Sequence, residues 1–172
     1  MRHQVGAPEL FFFEDDGTTP NSVLPVLIYK RAFSSAVPDL TAVMENCFSR
    51  NKWTNNWRDI VLAQDHYHST THEVLGISEG AVTLKLGGLQ GREMEFFAGD
   101  VIVIPAGVAH SATTEKTDYL VVGGYPFNLS WDMIYCEPDK YKEAVSRISN
   151  LRLPISDPIN GTKGYLTTYW TV

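Results

Sequence analysis

The sequence predicts an all-β protein, a sandwich or barrel of short strands, with two helices at its periphery. Two observations carry this prediction. Gly, Pro, Asn and Asp divide the middle of the chain into short apolar runs, and some of these runs alternate apolar with polar residues. At 172 residues the chain can bury a core without disulfides or a structural metal. A bound metal would therefore serve function more than folding.

Seven strands are predicted. Every second residue of Ala81 to Leu86 is apolar, which is typical of a strand with one face in water. The run from Asp100 to Ile104 is apolar on both faces, so we expect it to lie deep in a two-layer structure. The other predicted strands are Val26 to Phe33, Arg58 to His68, Glu73 to Ser78, Arg92 to Phe97 and Asp118 to Gly123.

Two helices interrupt the strands. Asp39 can cap a helix whose apolar residues recur at helical spacing from Leu40 to Phe48. Cys47 lies on that apolar stripe and is predicted to be a core thiol rather than a nucleophile. A second helix is predicted from about Pro138 to Ile148, and the turn-rich tail after it is expected to be an irregular arm that ends in a strand.

Charge and composition favour a small-molecule partner. The formal net charge is -6 and no cluster of Lys and Arg is present, which argues against nucleic acid. No apolar run approaches the roughly 18 residues that span a bilayer, so no membrane partner is expected. The N-terminus does not read as a signal peptide and the two cysteines form no CxxC pair. We therefore expect a cytoplasmic protein with reduced thiols.

The stretch HYHSTTHE contains three of the five histidines and a glutamate. Side chains two apart on a strand share a face, so His66 and His68 are expected to project together. Turn-forming residues follow, and a new strand begins. If Glu73 faces the interior, His72 faces outward, as a surface or interface histidine and not a ligand. His110 follows a second turn and is predicted to complete a set of three imidazoles and one carboxylate.

These segments resemble the two sequence motifs of the cupin superfamily. The first motif, H-x-H, four residues, E, six residues and G, is matched from His66 to Gly80. The second, G, five residues and P-x-G-x-x-H, is matched from Gly99 to His110. The chain departs from the family pattern at Ile60, where a Gly is usual, and at Thr114, where Asn is common. Neither departure removes a ligand.

The resemblance extends over most of the chain, to the small single-domain cupins called YjlB-like. It implies a cupin-type jelly-roll β-barrel, or double-stranded β-helix, with two peripheral helices in one domain of residues 1–172. The metal motifs then lie in a core at about 58–125, between an N-terminal arm and helix (1–57) and a C-terminal helix and tail (126–172). The resemblance also implies one divalent metal and a possible homodimer.

Three imidazoles and a carboxylate suit Fe, Mn, Ni, Zn or Cu better than Ca or Mg. Four protein ligands would leave one or two positions for water, a substrate or dioxygen. Three functions stay open at this point. The first is oxygenase-like chemistry on a small oxygen-rich molecule, the second is an isomerase or lyase with the metal as Lewis acid, and the third is a non-catalytic sensor or storage-type cupin.

Other candidates depend on strand parity. Gln64 shares the expected inward parity of His66 and could hydrogen-bond a substrate, so it is the candidate catalytic residue, with a plain core amide as the alternative. Arg58 has the same parity but lies too far along a straight strand, and it is predicted to be structural. Trp53 and Trp57 are predicted to close the end of the barrel rather than to wall a pocket.

Overall fold

The computed structural model describes residues 5–171, in which nine strands and three α-helices are present. The strands are β1 Glu9–Phe13, β2 Ser22–Tyr29, β3 Trp53–Asp59, β4 Glu73–Glu79, β5 Ala81–Leu86, β6 Arg92–Phe97, β7 Val101–Ile104, β8 His110–Ala112 and β9 Leu120–Pro126. The helices are α1 Leu40–Arg50, α2 Tyr141–Ile148 and α3 Leu166–Tyr169. The all-β class is confirmed.

The strands form two antiparallel sheets with the main core between them. The larger sheet has the order β1-β2-β7-β4-β9-β3 and the smaller has the order β6-β5-β8. Ile77 and Ile102 of the larger sheet belong to the same buried cluster as Leu84 and Phe96 of the smaller sheet. Alternate residues of both sheets therefore point into one apolar interior.

The larger sheet is buried on its other face as well. Val101 and Val103 of β7 belong to a second cluster, which contains Met44 and Phe48 of α1 and Trp170 of the C-terminal segment. All four residues of β7 are buried, which confirms the two-faced burial expected for this run. The sheet thus has an inner face toward the barrel and an outer face under α1 and the C-terminal segment.

The first helix follows the sequence prediction. The Asp39 side chain accepts a hydrogen bond from the Ala42 amide at 3.2 Å, as an N-cap should. Cys47 is 8 % exposed and its sulfur lies 3.7 Å from the Pro158 and Ile159 carbonyl oxygens, which agrees with a core thiol. No helix among residues 5–171 combines the length and apolar character needed to cross a membrane.

Up to residue 171, where the described part of the chain ends, the tail forms no terminal strand, so that prediction was wrong. It ends in α3, because Leu166 and Trp170 stand four residues apart and both bury their side chains on the outer face of the sheet. The Asp157 carboxylate accepts a hydrogen bond from the Leu166 amide at 3.1 Å and so holds the start of this helix.

The predicted strand from Arg58 to His68 was also wrong. Strand β3 ends at Asp59, and the chain bends at residues 63–64. Beyond the bend only isolated bridges form, His66 with His110 and Tyr67 with Ile134. The backbone groups here bond to distant segments, as in the 2.8 Å hydrogen bond from the His110 amide to the His66 carbonyl. The strand β2 also begins and ends four residues earlier than predicted.

Candidate metal centre

Three buried imidazoles meet inside the barrel. His66 and His68 lie on the bridged segment after β3, and His110 begins β8. Their side chains offer ring nitrogens that all lie within 4.8 Å of one another. Each residue is at most 4 % exposed. The fold thus brings together His68 and His110, which are about 40 residues apart in sequence.

The Nδ1 atom of each imidazole faces a backbone carbonyl oxygen. A carbonyl oxygen only accepts hydrogen bonds, so each Nδ1 is assigned a proton, and each Nε2 offers a lone pair when its ring is neutral. The three contacts are His66 Nδ1 to Gln64 O at 2.9 Å, His68 Nδ1 to Asp132 O at 2.5 Å and His110 Nδ1 to Val108 O at 3.2 Å. These contacts are the ones expected of imidazoles that could bind a metal ion through Nε2.

Glu73, the first residue of β4, brings a carboxylate to this cluster. It is 2 % exposed, and its Oε1 accepts a hydrogen bond from the Tyr125 hydroxyl at 2.9 Å. Its Oε2 has no conventional hydrogen-bond partner, and lies 3.3 Å from His68 Nε2 and 3.1 Å from His110 Nε2. A buried carboxylate oxygen among unprotonated ring nitrogens is costly unless a cation or proton joins them.

The spacing of these atoms fits a shared ion. Ligand atoms at about 2.1 Å from a metal and at right angles to each other are about 3.0 Å apart. The two contacts of Glu73 Oε2, at 3.1 and 3.3 Å, are close to that value. The carboxylate is outside the set of three imidazoles that lie mutually within 4.8 Å, so it stands nearer to His68 and His110 than to His66.

Burial and neighbouring groups shift the pKa values of the cluster in different directions. Burial, helped by His110, lowers the pKa of His66 to about 3. Burial also acts to lower the pKa of His68, but the Glu73 carboxylate outweighs it and the net shift is upward. Burial opposes ionisation of Glu73, yet His68 and His110 hold the pKa of its carboxyl well below the usual range. The carboxylate is therefore charged, and a proton or a cation must balance it.

His72 points away from this cluster but is not at the surface, so the expectation of a surface or interface histidine was wrong. It is 4 % exposed, and its ring centroid lies 4.8 Å from that of Trp170. Its Nδ1 accepts a hydrogen bond from the Ala106 amide at 3.0 Å. Burial lowers the pKa of His72 to about 4, so it is a neutral packing residue of the outer face at physiological pH.

Gln64 and Arg58 lie elsewhere than strand parity suggests. The Gln64 side chain is exposed, because the bend at residues 63–64 breaks the alternation, and its backbone carbonyl is the group that meets His66. Nothing in the geometry places its amide near the cluster. The Arg58 guanidinium donates two hydrogen bonds to the Glu45 carboxylate, at 2.7 and 2.6 Å, which agrees with a structural role.

The two tryptophans differ. Trp53 is fully buried in the cluster under α1 and donates its indole N–H to the Ser156 carbonyl at 2.8 Å, so it is a core residue and not a pocket wall. Trp57 lines the cavity beside the cluster, so the expectation that it would not wall a pocket was wrong. It donates its indole N–H to the Tyr125 hydroxyl at 2.7 Å. Its position follows from an irregularity of the β3–β9 register between Thr54 and Trp57.

Asp132 supports the cluster and has no motif in the sequence. Its carbonyl accepts the His68 hydrogen bond, while its carboxylate accepts from the backbone amides of Ser69 and Thr70 at 2.7 and 3.2 Å. Arg147 of α2 lies 3.5 Å from the same carboxylate. Asp132 thus fixes both the orientation of His68 and the turn after it.

A cavity of about 270 Å³ opens onto the imidazole cluster. Its polar floor is formed by the three imidazoles, Glu73 and Tyr125. The walls are mostly apolar and include Trp57, Val61, Leu62, Leu75, Trp131 and Met133. The site therefore has room for a small ligand next to the candidate metal position.

A two-sheet antiparallel barrel that joins three imidazoles and a carboxylate defines a cupin. The Cupin domain family model matches residues 62–123, and the chain belongs to the cupin family. Within that family it is 36 % identical to "Uncharacterized protein YjlB" of Bacillus subtilis (strain 168) over 163 residues, or 94 % of this chain and 96 % of that protein. The resemblance to YjlB-like cupins is confirmed.

Two solved structures are similar at low sequence identity. Acireductone dioxygenase from Bacillus anthracis, with a cadmium ion in its active centre, is 17 % identical with a TM-score of 0.44, over 64 % of this chain and 83 % of that one. A mutant of Bacillus subtilis oxalate decarboxylase is 16 % identical with a TM-score of 0.40, over 65 % of this chain and 28 % of that one.

Proposed function

We propose that this cupin is a metal-dependent enzyme that acts on a small oxygen-rich molecule by oxygenase-like chemistry. One divalent transition-metal ion (Fe, Mn, Ni, Zn or Cu) would be held by His66, His68, His110 and Glu73. The observation that carries the proposal is the contact of each of the three Nδ1 atoms with a backbone carbonyl oxygen. This arrangement leaves each Nε2 for the ion, and the Nε2 atoms of His68 and His110 lie 3.3 and 3.1 Å from Glu73 Oε2, which has no conventional partner.

Residues around the ligands hold this set in place. Tyr125 donates to Glu73 Oε1, which leaves Oε2 for the ion, and Asp132 fixes the ring of His68. The walls beside these ligands are mostly apolar. A redox-active ion bound here would supply electrons for the reaction of dioxygen with a chelated substrate.

Oxygenase chemistry is favoured over Lewis-acid isomerase or lyase chemistry because the cavity offers little for proton transfer. Tyr125 already donates to Glu73, and burial together with the charge of Glu73 raises the pKa of its hydroxyl. Arg58 is bound to Glu45. Among the described residues that line the cavity, the carboxyls are Glu73 and Asp59, and Asp59 is exposed and accepts a hydrogen bond from the Ile60 amide at 2.7 Å.

The test starts with protein purified without added metal. We expect about one transition-metal ion per chain by elemental analysis, and uptake of oxygen by the iron-loaded protein with diketones, diols or hydroxy acids. His68→Ala should abolish both, and His72→Ala, a matched histidine loss on the outer face, should retain both. Oxygen uptake that is absent from an intact, iron-loaded site would refute the oxygenase proposal.

A homodimer and a cytoplasmic location stay predictions. β1 lies at the edge of the larger sheet and carries Phe12, which is 64 % exposed, so this edge is where pairing of two copies would be sought. Light scattering on the purified protein measures the mass directly.

A further inference from the structure

We infer that the natural ligand of this cavity has one chelating head with a single negative charge and a flat apolar body. This inference rests on the proposed function, because it assumes the metal centre, and it adds the substrate class. The apolar body follows from the walls and rim of the cavity, and the charge of the head follows from the residues that would hold the ion.

The exposed residues that line the cavity include three large apolar side chains beside Arg58 and Asp59. Ile60, Leu62 and Trp131 all line the cavity and are 38, 44 and 41 % exposed. Large apolar side chains gathered at the mouth of a polar-floored cavity mark a binding site for apolar groups.

An aromatic panel connects the rim to the cluster. We use this term for Trp57, Tyr125 and Trp131, which all line the cavity. Trp131 is stacked on Tyr125 with a centroid distance of 4.8 Å and an angle of 15°. The Tyr125 hydroxyl in turn bonds to Trp57 and to Glu73. A flat ring could therefore pack on the panel while its head reaches the ion.

Charges around the cavity limit the head group. The cationic side chain that lines the cavity, Arg58, is committed to Glu45 in a two-point contact, and Asp59 adds a negative charge at the exposed rim. A divalent ion with the Glu73 carboxylate and three neutral imidazoles leaves a net charge of about +1. A monoanionic chelate would neutralise this charge, and a compact dianion would lack a second cation.

The experiment compares two probes that share one head. Acetohydroxamate and benzohydroxamate chelate metal ions as monoanions and differ by a methyl against a phenyl group, and oxalate serves as the compact dianion. Binding to the metal-loaded protein is measured by calorimetry and by tryptophan fluorescence, with the metal-free protein in parallel. We expect benzohydroxamate to bind at least about tenfold more tightly than acetohydroxamate, from burial of the phenyl group, and oxalate to bind more weakly than benzohydroxamate.

Three variants test whether the aromatic panel is the part of the protein that favours the phenyl group. Trp131→Ala should reduce the ratio between the hydroxamates to about threefold or less, with the affinity for acetohydroxamate unchanged. Leu62→Ala, a smaller change at the same rim, should reduce the ratio in part. Phe12→Ala removes an exposed aromatic residue from the edge strand β1, outside the cavity, and should leave the ratio intact.

The outcomes distinguish this inference from the proposed function. Equal affinities for the two hydroxamates, or tighter binding of oxalate, would overturn the apolar-body inference while the metal centre stands. If neither hydroxamate binds although elemental analysis shows metal in the loaded protein, the inference about the ligand is overturned; if the loaded protein holds no metal, the metal centre itself is wrong and the inference falls with it.

Discussion

His68 and His72 lie four residues apart, are equally buried at 4 % exposure, and end on opposite faces of the larger sheet. On the inner face, His68 directs its Nδ1 proton to a carbonyl and its Nε2 toward Glu73. On the outer face, the Nδ1 of His72 accepts a hydrogen bond from the Ala106 backbone amide and the ring packs on Trp170. Burial alone therefore does not mark a site. The two histidines differ in what their Nδ1 atoms face, a carbonyl oxygen for His68 and an amide N–H for His72.

The largest expected effect is the loss of metal from the inner face. His66→Ala and His68→Ala each remove one of three converging nitrogens, so we expect the metal content to fall from about one ion per chain to nearly none. Elemental analysis after gel filtration measures this. His72→Ala should keep the full content, and a loss of metal in that variant would end the distinction between the faces.

Removal of the support for Glu73 should weaken the metal site without abolishing it. Tyr125→Phe leaves the ring and its stacking on Trp131 but removes the hydrogen bond to Glu73 Oε1. Groups that orient metal ligands are typically worth about 10–100-fold in metal affinity. Competition with a chromogenic chelator gives the affinity. An unchanged value would mean that the hydroxyl does not position the carboxylate.

The outer face should show its effect in folding stability instead. His72→Ala leaves the Ala106 amide without its acceptor and a void beside Trp170, so we expect a loss of about 1–3 kcal/mol in the free energy of unfolding. Urea denaturation of the metal-free protein measures this. A variant as stable as the wild type would show that the ring contributes little to packing.

The smallest effect concerns the surface pair beside the cavity. The Arg58 guanidinium holds the pKa of the Glu45 carboxyl below its usual value of 4.5. Because the pKa of Glu45 is lower in the folded state, its carboxylate stabilises the fold above pH 4.5. This contribution is lost as the pH falls through the pKa of the folded state. Glu45→Gln should therefore lower Tm slightly at neutral pH, with the difference from wild type vanishing in acid. A constant difference across this range would contradict the assignment, and metal content should not change.

The sequence predicts the inner face better than the outer one. The spacing of His66 and His68 assumes only local extended backbone, and Tyr67 between them does pair with Ile134. The strand alternation that places His66 and His68 on one face does not extend back to Gln64. The chain bends at residues 63–64, and the side chain of Gln64 is turned to solvent. Strands β5 and β6 match their predicted limits because hairpin alternation is local.

The supporting residues were beyond sequence reasoning. Asp132 lies 64 residues from His68, and Tyr125 lies 52 residues from Glu73. Neither spacing belongs to a local pattern, so only the path of the folded chain brings them together. The predicted exposure of His72 was wrong for the same reason. Strand alternation predicts which face His72 occupies, but not that α3 and Trp170 cover that face.

The most direct test is anomalous X-ray diffraction from crystals of protein purified without added metal, recorded at the absorption edges of Mn, Fe, Ni, Cu and Zn. We expect one peak within about 2.0–2.3 Å of the three imidazole Nε2 atoms and of Glu73 Oε2. A peak at another position, or no peak here after soaking with each metal, would contradict the metal centre.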